Sequence, residues 1–203
     1  MSFEKLINQD NCNVDIYRNY FTSEVQKSLY DICQRECVDR FPVVVYGRES
    51  LQPRNSKVFA DSNIKGQKYS NKIIKASPWI PELENLRNFL AQYLCVPGTV
   101  YFNSVLINGY VREDDNVGFH RDKEMIDPLQ MVVTISLGDS RRFIFRKYND
   151  HSVKVETILN SGDLLIMCGD TNKIWEHSIP KPRKNESKFP RYSLTFRCIS
   201  DVL

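Results

Sequence analysis

The chain of 203 residues holds only three histidines, and two of them stand where a carboxylate can join them. His120 and Asp122, in GFHRDKE, are spaced i and i+2. On extended backbone that spacing turns both side chains to one face. His177, in IWEHSIP, follows 55 positions after Asp122. Two imidazoles and one carboxylate on one face of an octahedron bind Fe(II) and leave positions open for a cosubstrate and O2. On these residues alone the ordinary reading stays open, with a histidine packed in a strand or at the surface beside a loop carboxylate. The third histidine, His151, sits in a turn-like stretch and is expected to be dispensable.

A second constellation lies in RYSLTFR. On a strand, Tyr192, Leu194, Phe196 and Cys198 share one face and read as core. Arg191, Ser193, Thr195 and Arg197 share the other. The two arginines would have α-carbons roughly 20 Å apart at strand rise. Leaning inward, they would grip the two ends of a small dicarboxylate, since the planar guanidinium fork matches a carboxylate. A solvent face with two surface arginines is the competing reading.

The elements that must position these groups are legible as patterns. Residues 22–39 read as a helix, with Ser23 and Gln26 resembling a capping box and Val25, Leu29, Ile32 and Cys33 forming an apolar stripe. Residues 81–95 read as a second, opened by Pro81 and carrying Leu83, Leu86, Phe89, Leu90 and Tyr93 at helical spacing. After Pro97-Gly98 come short runs rich in β-branched and aromatic residues: VYFNSVLINGYV, MVVTISL, RFIFRKY, VKVETI, DLLIMC and RYSLTFRCI. Turn residues at Gly138-Asp139-Ser140, Tyr148-Asn149-Asp150, Asn160-Ser161-Gly162 and Gly169-Asp170 separate them. Such spacing fits a sandwich or barrel, braced on one face by the helices.

Composition sets the bounds. With 41% hydrophobic residues and 26% charged, mixed in sign, the chain makes one domain with a substantial core. A net charge of +3 and a pI near 8.5 allow a polyanionic partner without demanding one. The six cysteines include no CxxC pair, so a cysteine zinc site has little support, and Cys33 and Cys37, four apart on the first helix, read as a buried and a half-buried thiol and not as a ligand pair. No signal peptide and no apolar run near the roughly 20 residues of a membrane span is visible. The expectation is a soluble intracellular protein with free thiols, acting as a monomer.

Taken together, H-x-D, a distant histidine and R-x-x-L-T-F-R resemble the AlkB family in order and approximate spacing. NSVLINGYVREDDNVGFHRDKE is similar to the segment in which the family places N-x-Y upstream of H-x-D, and PWIPELENLR looks like the helix before it. The likeness runs from about Val45 to Arg197 and is strongest to eukaryotic members that repair DNA. It implies an α+β, mainly β fold, with a double-stranded β-helix (jelly roll) at about 98–200. The helices and a nucleotide-recognition lid would occupy about 1–97 of a single domain. It implies Fe(II) on His120, Asp122 and His177, with 2-oxoglutarate and O2 as cosubstrates. Asn108, Tyr110 and Arg191 would hold the far carboxylate of 2-oxoglutarate and Arg197 the chelating end. Ser193 stands where many members have Asn, which shortens or removes a contact there. The implied reaction is oxidative demethylation of a base nitrogen, releasing formaldehyde, succinate and CO2.

The same resemblance implies a flipped base. Glu124 would contact its exocyclic amine, Tyr69-Ser70 would form the lid segment that stacks on it, and VVVYGRESLQPR would be the probing hairpin. In that hairpin Tyr46 would act as the wedge in the vacated stack and Arg54 as a further substrate contact. KPRKNESKFPR, with five basic residues and one acid, is either a solvated loop or a phosphate contact. The expected partner is methylated DNA, single- or double-stranded, with 1-methyladenine and 3-methylcytosine as lesions. An RNA demethylase, a protein hydroxylase with the same chemistry and an inactive jelly-roll binding module are the alternatives.

Overall fold

The computed structural model describes residues 2–45, 47–69, 72–94, 101–122, 125–126, 130–186 and 189–201, with the side chains at 45, 68, 69 and 72 excepted. Asp10 and Asn11 both adopt positive φ, 54° and 57°, which is the backbone of a two-residue hairpin turn. They join β1 (Ser2–Gln9) to β2 (Cys12–Arg18). Helix α1 (Ser23–Glu36) follows. Its N-cap is Thr22, whose hydroxyl accepts from the Val25 amide, and not Ser23. Gln26 makes no capping box, because its amide instead donates to the Phe21 carbonyl and Asn19 Oδ1. Leu29, Ile32 and Cys33 form the buried stripe, whereas Val25 is exposed.

Four short strands and a fifth come next: β3 (Pro42–Val45), β4 (Arg48–Leu51), β5 (Asn55–Ala60), β6 (Gly66–Tyr69) and β7 (Lys72–Ser77). Helix α2 (Pro81–Leu94) buries Leu83, Leu86 and Leu90 but leaves Phe89 and Tyr93 exposed, so the apolar stripe is narrower than the expected one. The remaining strands are β8 (Ser104–Tyr110), β9 (Val117–His120), β10 (Val132–Gly138), β11 (Arg141–Lys147), β12 (Lys154–Leu159) and β13 (Leu164–Gly169). The short helix α3 (Thr171–Ile174), β14 (Trp175–Ile179) and β15 (Arg191–Arg197) complete the chain.

These strands form a nine-stranded sheet in the order β1-β2-β13-β10-β15-β8-β5-β7-β6 and a facing four-stranded sheet, β12-β11-β14-β9. They make the jelly roll that the family resemblance implied, within the sandwich or barrel to which the strand pattern pointed. The turns at Gly138 and Asn160-Ser161-Gly162 carry the chain from one sheet to the other, since β10 and β13 pair together while β11 pairs with β12. β3 and β4 stand apart as a hairpin with Gly47 at positive φ in its turn, as its sequence implied.

Alternation along the large sheet separates two cores. Val105, Ile107, Val133, Ile135, Leu194 and Phe196 pack outward against α1 and α2. Each such side chain contributes about 1.5–3 kcal/mol by burial. The intervening residues of the same strands face the small sheet, where Phe143, Phe145, Leu165, Met167 and Tyr110 close a second core. This inner face carries the chemistry.

Candidate active site

Edge strand β9 pairs antiparallel with β14 so that His120 lies directly opposite His177. Their ring centres are 4.3 Å apart. Asp122 lies two residues beyond the end of β9, on irregular backbone, so the strand alternation that first paired it with His120 does not place it. Two other elements do. Arg197 on β15 donates from Nη1 to Asp122 Oδ1 at 2.7 Å, and Asn172 Oδ1 accepts from the Asp122 amide at 3.4 Å. One ligand atom from each of His120, Asp122 and His177 then falls within 4.8 Å of the others. The Phe143 ring stacks on His177 at 5.5 Å and 10°, fixing its plane.

The protonation states suit a cation. Burial, followed by the neighbouring His120, pushes His177 down to about 3, with Asp122 offsetting only part. Burial also lowers His120, against Asp122 and the Gly118 carbonyl. His120 Nδ1 donates to that carbonyl at 2.9 Å, a tautomer that leaves Nε2 with its lone pair for a metal. Burial works against the Asp122 carboxylate, but Arg197 in direct contact and the two histidines outweigh it and hold it below the usual range. Two neutral imidazoles and a carboxylate result, which is the state metal binding requires.

The same cavity is lined by Arg191, Ser193, Thr195 and Arg197. Arg191 is 0% exposed and Arg197 3%, which excludes a solvent face. Arg191 Nε donates to Ser136 Oγ at 3.2 Å, while Nη1 and Nη2 have no partner among the described residues. Burial, eased by the Tyr110 phenol at its side, pushes this guanidinium down to about 10. A buried cation with two open nitrogens is costly unless an anion fills the fork. Arg197 Nε is likewise without a partner among these residues. Asn108 Oδ1 accepts from Arg54 Nε at 2.9 Å and Ser56 Oγ at 3.0 Å, which turns its amide so that Nδ2 is the end left to donate. Tyr110, the last of this group, lines the cavity beside them.

A family model, that of the 2OG-Fe(II) oxygenase superfamily, matches residues 13–197. The chain belongs to that superfamily. Within it the chain is an AlkB-family member. It is 34% identical over 165 residues to the human DNA oxidative demethylase ALKBH2, a stretch that covers 77% of this chain and 60% of that protein. The Arabidopsis thaliana DNA oxidative demethylase ALKBH2 is 31% identical over 180 residues, covering 76% and 56%. Human alpha-ketoglutarate-dependent dioxygenase alkB homolog 3 is 34% identical over 142 residues, covering 64% and 47%. The chain thus matches about three fifths or less of these relatives' length. The solved structure of OsALKBH1 has the same fold, with a TM-score of 0.62 at 19% identity over 91% of this chain and 96% of that one.

The 2OG-Fe(II) oxygenase superfamily implies iron, 2-oxoglutarate and O2 as cofactors. The residues present fit them: a His-Asp-His donor set on one side of the cavity, and on the other a buried arginine fork without an anion. Among the expected site residues, Arg54 is buried and lines this cavity. Tyr46, Ser70 and Glu124, and the Tyr69 side chain, lie outside the described residues. In the basic loop, Glu186 accepts from Arg142 and from the Arg183 amide, tying part of that segment to β11. His151 is exposed and stands outside the trio. Among the described residues no helix is long and apolar enough to cross a membrane.

Four contributors were not singled out from sequence. Ser136 and Thr134 are polar at period two inside MVVTISL, a pattern that marks an inward polar face on an apolar strand. Phe143 had no signal beyond its strand. Gln67 lines the cavity from β6, a strand too short and polar to stand out.

Proposed function

We propose that this chain is an Fe(II)- and 2-oxoglutarate-dependent demethylase that removes methyl groups from base nitrogens of DNA, with 1-methyladenine and 3-methylcytosine as lesions and duplex DNA among its substrates. The observation that carries the reading is the Arg191 fork, fully buried, with no hydrogen-bond partner at either Nη atom among the described residues and opening on the cavity that holds His120, Asp122 and His177. The names of the curated relatives support the choice of DNA.

In this reading His120, Asp122 and His177 would hold the iron. Arg191, Asn108 and Tyr110 would take the distal carboxylate of 2-oxoglutarate, with Ser193 beside it. Arg197 would serve the end near the metal, where its contact with Asp122 already orients the carboxylate ligand. Bound Fe(II), with 2-oxoglutarate and O2, supplies the oxidation that turns an N-methyl group into a hydroxymethyl group, which leaves as formaldehyde. The protein's share is to orient and to exclude water: Phe143 and Met167 wall the cavity with apolar surface, and Ser136 holds Arg191 in place. Glu124, Tyr69, Ser70, Arg54 and the Tyr46 hairpin would receive the flipped base and its duplex.

The test is formaldehyde release by anaerobically purified protein, supplied with Fe(II), 2-oxoglutarate and O2, on methylated DNA and RNA oligonucleotides. Formaldehyde from methylated DNA is expected. Release from RNA alone would replace DNA with RNA as the substrate, and release from neither would overturn the demethylase reading.

A further inference from the structure

Gln67 is a polar side chain that the site described above leaves without a task. It is 8% exposed and lines the cavity of His120, Asp122 and Arg191. Among the described residues no hydrogen bond ties its amide. Its strand places it away from the cosubstrate. β6 is the outermost strand of the large sheet, third beyond β8, so its backbone starts roughly 14 Å from the strand of Asn108 and Tyr110 at ordinary strand spacing. Gln67 pairs with Ile74, whose side chain is buried beside Val58 and Ile64 in a small core that supports this edge. Gln67 therefore lines the cavity from a strand on the other side of β8 from β15, which carries Arg191. Arg54, another polar group that lines the cavity, has its Nε committed to Asn108.

We propose that Gln67 reads the edge of the methylated base, and that its amide lets one pocket take lesions flanked by either amino or carbonyl groups. The proposal rests on the demethylase reading above. A primary amide carries an acceptor and two donors on a plane that turns through 180° at little cost. With its oxygen forward it accepts from the amino group beside the methylated nitrogen of 1-methyladenine or 3-methylcytosine. With its nitrogen forward it donates to a carbonyl of 3-methylthymine, whose methylated nitrogen has carbonyls on both sides. A carboxylate in the same place would keep only the first mode. It would also favour the cationic charge of methylated adenine and repel the two thymine carbonyls.

The experiment compares kcat/KM for 1-methyladenine and 3-methylthymine in otherwise identical single-stranded DNA, using the full chain loaded with Fe(II) and 2-oxoglutarate. The variants are Gln67→Glu and the near-isosteric Gln67→Met, and 2-oxoglutarate affinity is measured in each. Wild type is expected to demethylate both lesions. Gln67→Glu should shift the ratio toward 1-methyladenine by about tenfold or more, the cost of leaving a buried polar group wrongly paired. Gln67→Met should raise KM for both. Equal losses on the two lesions or an unchanged ratio in Gln67→Glu, unchanged KM values in Gln67→Met, or a wild type that rejects 3-methylthymine would overturn the inference. A wild type inactive on every methylated oligonucleotide would instead remove the demethylase reading beneath it.

Discussion

Arg191 is held at Nε by Ser136, and among the described residues its two Nη atoms have no hydrogen-bond partner. Lysine has no fork and would offer a single point charge on a flexible stem. Arg191→Lys should therefore raise the apparent KM for 2-oxoglutarate by about tenfold to a hundredfold, the scale of a lost charge-assisted hydrogen bond. Succinate formation against 2-oxoglutarate concentration reads this directly, and an unchanged KM would remove Arg191 from the cosubstrate site. The histidines give a prediction of opposite character. The folded, metal-free protein keeps His177 neutral down to about 3, while an unfolded histidine takes a proton near pH 6.5. Below that pH the unfolded chain binds more protons than the folded one, so stability falls as pH drops from about 6.5 and is flat above it. Thermal melts of metal-free protein between pH 7.5 and 5 should show this acid slope, and His177→Gln should lessen it, leaving the part that the likewise lowered His120 contributes. A variant as acid-sensitive as wild type would contradict the assignment of the slope to His177. At this scale much was legible in the sequence, because histidine is scarce here and two arginines on one strand face are conspicuous. The state of those arginines was not, since strand alternation gives a face but not what covers it.

Among the elements, the β3–β4 hairpin is tied down at its base. Arg40, just before it, makes two hydrogen bonds of 2.8 and 2.6 Å to the buried Asp115 carboxylate, which also accepts from the Val111 and Arg112 amides. The Gln52 amide donates to the Phe41 carbonyl, and the Asn116 amide to the Pro53 carbonyl. These bonds tie the hairpin's base to the loop that leads into β9 and His120. A wedge carried at its tip would thus be registered against the metal side of the site. Tyr46→Ala should lower activity on duplex DNA much more than on single strands, because only a duplex leaves a gap with a stack on both sides, and an aromatic on a base is worth about 1–3 kcal/mol. Equal losses on both would make Tyr46 a support for the lid. The hairpin itself was readable from Gly47 among β-branched residues. The β1–β2 hairpin was not, although Val14 and Ile16 alternate and Asp10-Asn11 forms its turn. β1 is a solvated edge whose SFEKLINQ carries little apolar signal. The end of β9 before Asp122 was also hidden, since nothing in HRD marks where pairing stops.

For the whole molecule, the sheet order matters more than any single strand. Strands from before residue 78 and after residue 103 share the nine-stranded sheet, so Arg54 and Gln67 reach the same cavity as Arg191 and His177. Turn residues located the chain reversals but not which of them cross between sheets, because that depends on pairings far apart in sequence, such as β2 with β13 and β5 with β8. The central claim is that one cavity couples 2-oxoglutarate to a methylated base through iron on His120, Asp122 and His177. The measurement that tests it most directly is the ratio of formaldehyde to succinate released on DNA containing 1-methyladenine, in wild type and in His177→Ala. The account predicts close to one formaldehyde per succinate in wild type, and neither product from a His177→Ala protein that melts as a folded chain. Turnover by His177→Ala at the wild-type rate, or succinate without formaldehyde on that substrate, would contradict it.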